Sequence, residues 1–380
     1  KGVTMSYVVI GGGLAGLSAA ITLQQAGESV ELYEASDDLG GRVRSDYIDG
    51  YILDRGFQLI NSGYSEVKRL GVINEIDFVG ASRTIDVVTP FGVSSIGDPR
   101  VHPLQAIRSP LGSISEKLAV LKFVGEKPNS NISLRDAILA SGVGDLYENV
   151  LKPFLRGVFL TDLENIDSSY GREIIKSFVS GQSGLPRAGA GALSEALGAR
   201  VESVYLNSPI DSLQQFAGKK VILATDAHTT AKLTHVPIET QFADSFTWYH
   251  ALPAGLVKTK NLRVTSTANP IVNSVALSNI VSQYAPAGKT LISSTSITSI
   301  SDEEALNEIS KFWGIAPKEF ELIERYDVRN SLPVFRPGSH GVKSARVNDE
   351  LFIAGDYLTA GSQNGALLSG RLAAMESLAH

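Results

Sequence analysis

The segment VVIGGGLAGLSAAITLQQAGESVELYEAS, residues 8–36, constrains the fold more than any other stretch of the chain. An apolar run from Tyr7 to Ile10 enters three glycines, a helical stretch follows to Gly27, and a second apolar run ends at Glu34. That order is strand, tight turn, helix, strand, and within it Gly11, Gly13 and Gly16 spell G-x-G-x-x-G. Gly11 allows the sharp turn, Gly13 lets backbone N–H groups approach a pyrophosphate, and Gly16 lets the helix sit close on the strand. The anion rests on the positive helix N-terminus, which Leu14 and Ala15 open. Glu34, with Ala35 beside it, lies 18 residues past Gly16, where an acid meets the ribose hydroxyls of an unphosphorylated adenosine. NAD and FAD both satisfy this segment.

A chain of 380 residues exceeds the roughly 250 to 300 residues at which single cores stop growing, so two domains are expected. With net charge −6 and a pI of about 5.6, and with basic residues scattered, nothing attracts nucleic acid. No run approaches the length of a membrane span, and no basic-then-apolar leader precedes Met5, read as the initiator behind Lys1–Thr4. A cytoplasmic protein is expected. The absence of cysteine excludes a dithiol shuttle and a thiol nucleophile, and the six histidines show no paired spacing that would suggest a metal site.

Further along, DLGGRVRSDYIDGYILDRGFQ, residues 38–58, places Asp49-Gly50 as a two-residue hairpin turn. Ser133 reads as an N-cap, and the helix in GDLYENVLKPFLRGVFL is expected to be interrupted near Pro153. Ser301 and Glu304 have capping-box spacing, Leu306, Ile309 and Trp313 share one face, and Gly314 is a stop. Strand pattern resumes with SVYLN, PIDSLQQF and KKVILATDA, the last read as an edge of a parallel sheet. LFI in residues 350–356 reads as a closing strand, and a helix follows over residues 362–378.

Four blocks, VVIGGGLAGLSAA with ELYEAS, LGGRVRS, KKVILATDA and LFIAGDYLTAGSQNGALLSGRLAA, together resemble the FAD-dependent superfamily of amine oxidases, protoporphyrinogen oxidases and phytoene desaturases. A plain NAD dehydrogenase gives no reason for GGR or for the closing block. The resemblance implies an α/β fold: a doubly wound, Rossmann-like FAD-binding domain over residues 1–75, 195–235 and 335–380, and a mixed α+β substrate domain over 76–194 and 236–334. It implies one noncovalent FAD, held by Gly11, Gly13 and Gly16 at the pyrophosphate and Glu34 at the ribose. Gly40, Gly41 and Arg42 reach the phosphate and ribityl region, Arg42 offering a fork suited to phosphate. Gly56, with Phe57, lies beside the isoalloxazine; Ile210 meets the adenine edge; Ala224 and Thr225 belong to the same set; Gly355 and Asp356 bind ribityl or phosphate oxygens. Gln363, Asn364, Gly365 and Ala366 open the last helix, whose free N–H groups would favour an anionic reduced flavin, with Asn364 and Gly365 as the expected contacts.

The substrate side is less legible. The amine oxidases hold a water on a lysine at the flavin, but the corresponding strand ADSFTWYHALP has none, and Lys258 and Lys260 lie further on. Gln58, Tyr249 and Phe335 are the catalytic candidates. Trp248 and Tyr249 alternate, so at most one faces a pocket, the plainer reading being one core and one surface aromatic. Tyr284 reads as a loop aromatic beside proline and Arg336 as solvent-facing. LKPFLRGVFLTDLENIDSS and DRGFQ resemble the flavoproteins near the phytoene desaturases and carotenoid isomerases. Phe154, Leu155, Val158, Phe159 and Leu160 would line a greasy tunnel there, although a helix core explains them and is preferred. The stretch 115–124, with Leu118, Leu121 and Phe123, is amphipathic without reading as an interfacial anchor, and allows at most weak peripheral membrane contact. The expected function is hydride transfer from a C–N or C–C bond of a small organic substrate, lipophilic where the tunnel reading applies, to flavin, the alternative being a polyene desaturase or redox-neutral isomerase.

Overall fold

A computed structural model describes residues 6–127, 129 and 131–380; the reading of Lys1–Met5 lies outside them. Among the described residues seventeen strands, β1 to β17 in chain order, form four sheets. The first sheet is parallel, in the order β10-β2-β1-β11-β17. Its central strand β1 (Ser6–Ile10) pairs with β2 (Ser29–Tyr33) on one side and β11 (Lys220–Leu223) on the other. The flanks are β10 (Val204–Tyr205) and β17 (Leu351–Ile353).

Alternation along β1 fixes what covers each face. Tyr7 and Val9 pack under the helices Leu14–Gln25 and Gln363–Ala379, while Val8 and Ile10 pack with Phe216, Leu213 and Leu233 on the opposite face. The two helices approach so closely that a Cβ on Gly370 would stand 1.9 Å from the Ala15 carbonyl oxygen. This is the doubly wound α/β arrangement, assembled from segments far apart in sequence.

Two readings in this region are corrected. KKVILATDA supplies an interior strand, paired on both sides, rather than an edge. PIDSLQQF is not a strand: Leu213–Phe216 forms a 3-10 turn capped by Ser212, because burying Phe216 against Val8 and Ile10 requires the chain to fold back.

The second sheet is mixed and seven-stranded: β16 (Glu321–Val334), β12 (Gln241–Pro253), β15 (Lys289–Ser296), β14 (Ile271–Ala276), β13 (Leu262–Thr265), β7 (Thr84–Thr89), β8 (Gly92–Gly97). One face buries Phe246 and Trp248 under the helix Asp302–Trp313, which Ser301 caps and Gly314 ends in a left-handed conformation. The other face carries the helices Ile114–Gly125, Leu134–Ala140, Lys152–Phe159 and Ser168–Ser180. Ser133 caps as expected, its hydroxyl accepting from the Asp136 N–H. The helix is interrupted near Pro153, as expected. A turn of π-helix, Tyr147–Leu151, precedes it, and Pro153 sits in the first turn of Lys152–Phe159, where its missing N–H costs nothing.

Between the two large sheets lies the hairpin of β3 (Ser45–Ile48) and β4 (Tyr51–Asp54). Its turn is Asp49-Gly50, both with positive φ (48° and 82°), as the two-residue turn requires. A small sheet of β5 (Ile60–Asn61), β9 (Ser183–Pro186) and β6 (Phe78–Gly80) completes the structure. Among the described residues no helix is long and apolar enough to cross a membrane.

Candidate active site

The glycine loop after β1 is shaped by what each Cβ would strike. Gly11 has φ +107°, and a Cβ there would lie 2.5 Å from the Ala224 carbonyl oxygen. At Gly16 it would lie 1.8 Å from the Gly11 carbonyl oxygen. Gly13 differs, because its Cβ would meet nothing within 4 Å. Its neighbours across that space are Gly40, which bridges to it in parallel fashion, and Gly41, whose own Cβ would stand 3.5 Å from the Gly13 Cα. Gly13 is also the N-cap of the helix opened by Leu14 and Ala15 and provides no side-chain acceptor, so the first N–H groups of that helix face the open space. Two glycine segments thus form a cradle with backbone donors and room where side chains would otherwise stand.

At the end of β2, Glu34 turns its carboxylate onto the loop. Oε2 accepts from the Gly12 N–H at 2.6 Å, and Oε1 accepts from the Ser36 N–H at 2.9 Å and the Ser36 hydroxyl at 2.7 Å. Gly12 and Ser36 were not singled out from sequence; their signal was proximity to the motif, and neither type is diagnostic alone. Ala35 continues this turn. Ala224 donates to the Ile10 carbonyl at 2.7 Å, Thr225 meets Thr230 at 2.9 Å, and Ile210 packs on the β1 face beside Phe216.

The second cluster converges from four segments. Arg42 pairs with Asp356 at 2.8 Å, Asp356 being only 5% exposed, and donates to the Ser331 carbonyl at 2.6 Å. Gln58 donates to the Arg42 carbonyl at 2.7 Å, and Gln363 donates to the Gln58 side-chain oxygen at 3.3 Å. Gly355 donates to the Ser369 hydroxyl at 2.9 Å, which fixes the loop ahead of Asp356. Gly56 (φ +88°) and Phe57 lie beside this cluster, Gly56 approaching Val328 of β16.

Asn364 is placed elsewhere than expected. Its Oδ1 accepts from the Glu66 N–H at 3.0 Å, capping the helix Ser65–Leu70, because that helix has no side-chain cap at its own N-terminus. Gly365 is held by the Ser362 hydroxyl, and a Cβ on it would lie 1.9 Å from the Ala360 carbonyl oxygen. Gln363 and Ala366 are the members of this turn that face the cavity described next, and the Gln363 Oε1 is buried with no protein donor among the described residues.

That cavity measures about 580 Å³ and is predominantly apolar. It begins at Arg42, Gln58, Asp356 and Gln363 and crosses the seven-stranded sheet, touching every strand: Val328, Ser245, Thr295, Val275, Leu262, Ile85 and Ile96 in sheet order. Six inter-strand spacings of about 4.8 Å make this path roughly 29 Å. Its roof contains Phe154, Leu155, Val158 and Leu160; Leu155 is also buried in the helix core and Phe154 and Val158 pack against it, so the stretch is core and cavity wall at once. Phe159 alone belongs wholly to the core, stacked edge-on with Tyr170. The far end holds Asp98, bound by Arg83 at 3.3 Å and by Arg100. Burial pushes the Asp98 carboxyl up, but these guanidiniums outweigh it and hold it below the usual carboxylate range.

Of the three catalytic candidates, Gln58 alone lines the cavity. Tyr249 is fully buried beneath the β3–β4 hairpin, its hydroxyl donating to the Asp54 carbonyl at 2.7 Å. Trp248 is equally buried on the other face and donates to Asp302, so neither aromatic is at the surface; both faces of β12 are covered. Phe335 is enclosed by Tyr170 and His340 and does not reach the cavity. Tyr284 is a core residue whose hydroxyl meets Asp54 at 3.1 Å, and Arg336 is exposed, as expected, on Gln241. Lys260 does line the cavity, but it precedes β13, four strands from β16 and the Arg42–Asp356 pair.

The sequence profile of flavin containing amine oxidoreductases matches residues 14–236. The chain belongs to that family. It is an FAD-dependent oxidoreductase, and because it contains no cysteine no thioether to the flavin can form. Over nearly its whole length it shares a fold with solved structures. An oxidoreductase from Methanosarcina mazei superposes with a TM-score of 0.78 at 18% identity, over 99% of this chain and 100% of that one. Putrescine oxidase, solved with putrescine bound, gives 0.69 at 14% identity over 100% of both chains. A stretch of 61 residues, 16% of this chain, is 44% identical to 4,4'-diaponeurosporene oxygenase of Staphylococcus aureus and spans only 12% of that protein's length.

Proposed function

We propose that this protein oxidises a long apolar substrate by abstracting hydride from carbon, in the manner of a polyene desaturase or oxidase rather than of an amine oxidase. The observation that carries this reading is the cavity, an apolar path of roughly 29 Å whose only carboxylates among the described residues, Asp98 and Asp356, are both committed to arginines. An ammonium substrate would meet no free carboxylate there, whereas a hydrocarbon chain is matched along its length. Similarity to the diaponeurosporene oxygenase supports the same class, within its short span.

The cradle fits FAD: the open space at Gly13 is what a pyrophosphate needs, and Glu34 stands at the end of β2 for the ribose. Arg42 and Asp356 would hold ribityl or phosphate oxygens, Ile210 the adenine edge, and Gly56 and Gln363 the ring. Bound FAD would supply two-electron chemistry, taking up hydride from carbon and returning the electrons to an external acceptor of the dioxygen or quinone class. The chain's own work is positional. Phe154, Val158 and Leu160 would align the apolar chain, and Gln58 and Gln363 would orient groups at the Arg42–Asp356 end. Loss of hydride from one carbon and of a proton from its neighbour to water leaves a C=C bond, with no dedicated base at that end.

Incubation of the FAD-loaded protein with a long polyene in detergent, under air or with a quinone, tests this by chromatography and mass spectrometry. A product lacking two hydrogens is expected. A product of unchanged mass formed only after reduction would favour the isomerase, and turnover of amines alone would overturn the reading.

A further inference from the structure

We propose that the helices Pro103–Arg108 and Ile114–Gly125 dock this protein on an anionic lipid surface, at the end of the cavity remote from the Arg42–Asp356 pair. Each of these helices buries a single residue, Ala106 in the first and Phe123 in the second. What they leave outside is apolar: Val101, Leu104, Ile107, Ile114, Leu118 and Leu121 are 49% to 65% exposed. At about 100° per residue, Ile114, Leu118 and Leu121 form one stripe of their helix, and Phe123, which lines the cavity, stands opposite it. Lys117 and Lys122 flank the stripe on either side, Lys117 donating to the Ser109 carbonyl at 2.9 Å and Lys122 lying 3.7 Å from Glu126.

Charge selects the occupant. Residues 98–127 carry five Lys or Arg against Asp98 and two Glu, Arg100 being paired with Asp98, in a chain of net charge −6. One of those two, Glu116, is turned inward onto the N–H groups of Ser113, Gly144 and Leu146, and the other, Glu126, lies 3.7 Å from Lys122. A basic rim around an apolar stripe complements anionic headgroups over acyl chains, and it opposes a second copy of the same basic surface.

Location gives the surface a use. It follows β8 directly in the chain, the strand at the far end of the cavity, and Arg100, at the start of this segment, bonds the Phe178 and Val179 carbonyls. Val179 is itself 43% exposed and lines the cavity, so the cavity and the apolar surface share a rim. Docking there would open the apolar path towards the bilayer. The docking rests on the surface alone; its role in delivering substrate rests on the apolar-substrate reading above.

Co-sedimentation of the FAD-loaded protein with phosphatidylcholine vesicles, with and without about 30% phosphatidylglycerol, decides the matter. Binding to the anionic vesicles is expected, falling several-fold when salt is raised and at least fivefold in Leu118→Gln/Leu121→Gln, whose visible flavin spectrum reports an intact fold. No binding to anionic vesicles, or binding that the double variant leaves unchanged, would overturn the proposal. So would a dimer at micromolar concentration that the double variant dissociates, since the stripe would then be covered by a second copy. None of these readouts needs turnover, so failure of the docking and failure of the substrate assignment are separable.

Discussion

The glycine cradle and the apolar cavity are built on opposite principles. In the cradle the backbone is the working surface, and side chains are excluded because a Cβ at Gly11, Gly16 or Gly40 would strike a carbonyl oxygen within 2.5 Å. In the cavity the side chains are the working surface, drawn from all seven strands of one sheet and from the helix Lys152–Phe159. A surface made of backbone tolerates almost no substitution, whereas one made of side-chain volume can be reshaped, and so can the substrate it takes.

The sharpest way to break this contrast is to compare two glycines in one motif. Gly16→Val drives a branched side chain into the Gly11 carbonyl and is expected to cost about 3 kcal/mol or more of fold stability. Gly13→Val meets open space, so the apoprotein should melt as the parent does while FAD binds roughly a hundredfold more weakly, about 2.7 kcal/mol. Thermal melts with and without added FAD, and the visible absorbance retained on purification, separate the two. Equal melting temperatures for both variants would show that the crowding at Gly16 does not matter.

Next in size is Arg42→Gln. It strands the 5%-exposed Asp356 without its ion pair and should cost about 1 to 3 kcal/mol in stability, with a parallel loss of FAD affinity measured by flavin fluorescence. On the other side of the comparison, Val158→Trp fills the cavity roof. It should raise KM for a long apolar substrate about tenfold while leaving FAD content and absorbance unchanged. A change in FAD affinity there would show that the two regions are not independent.

Cradle and cavity also differ in how far the sequence revealed them. G-x-G-x-x-G, GGR and GD report backbone requirements, and those are written in consecutive residues, which is why Gly13 could be matched with Gly40 and Arg42 with Asp356. The parallel strands β1, β2, β11 and β17 were legible for a similar reason, each being a short apolar run. The cavity was not, because it depends on how segments hundreds of residues apart are juxtaposed. Strand alternation could say that Trp248 and Tyr249 face opposite ways, but not that a hairpin and a helix cover both. Asn364 misled because a polar residue in the first turn of a helix serves a neighbouring helix as readily as a ligand.

A pH-dependent effect lies at the junction of the two regions. Asp54, on the hairpin that follows the GGR segment, is tied to the cavity sheet through Tyr284 and Tyr249 and to Ala190 by its carboxylate. Burial pushes its carboxyl up to about 6, against bonds from Ser45, Ala190 and Tyr284 that pull it down. The folded state therefore keeps a proton that the unfolded chain releases near 3.8. The stability this group contributes is full below that pH, is lost as pH rises through about 6, and is constant above. Asp54→Asn should flatten that portion of the melting-temperature profile.

The most direct test of the central claim is the anaerobic visible spectrum of the FAD-loaded protein, titrated in parallel with a panel of primary, secondary and polyamines and with long polyenes in detergent. Bleaching of the oxidised flavin band by a polyene, with no response to any amine, is the result predicted by an apolar cavity that offers no free carboxylate. Bleaching by an amine and none by any polyene would contradict it and return the chain to the amine-oxidising side of its family.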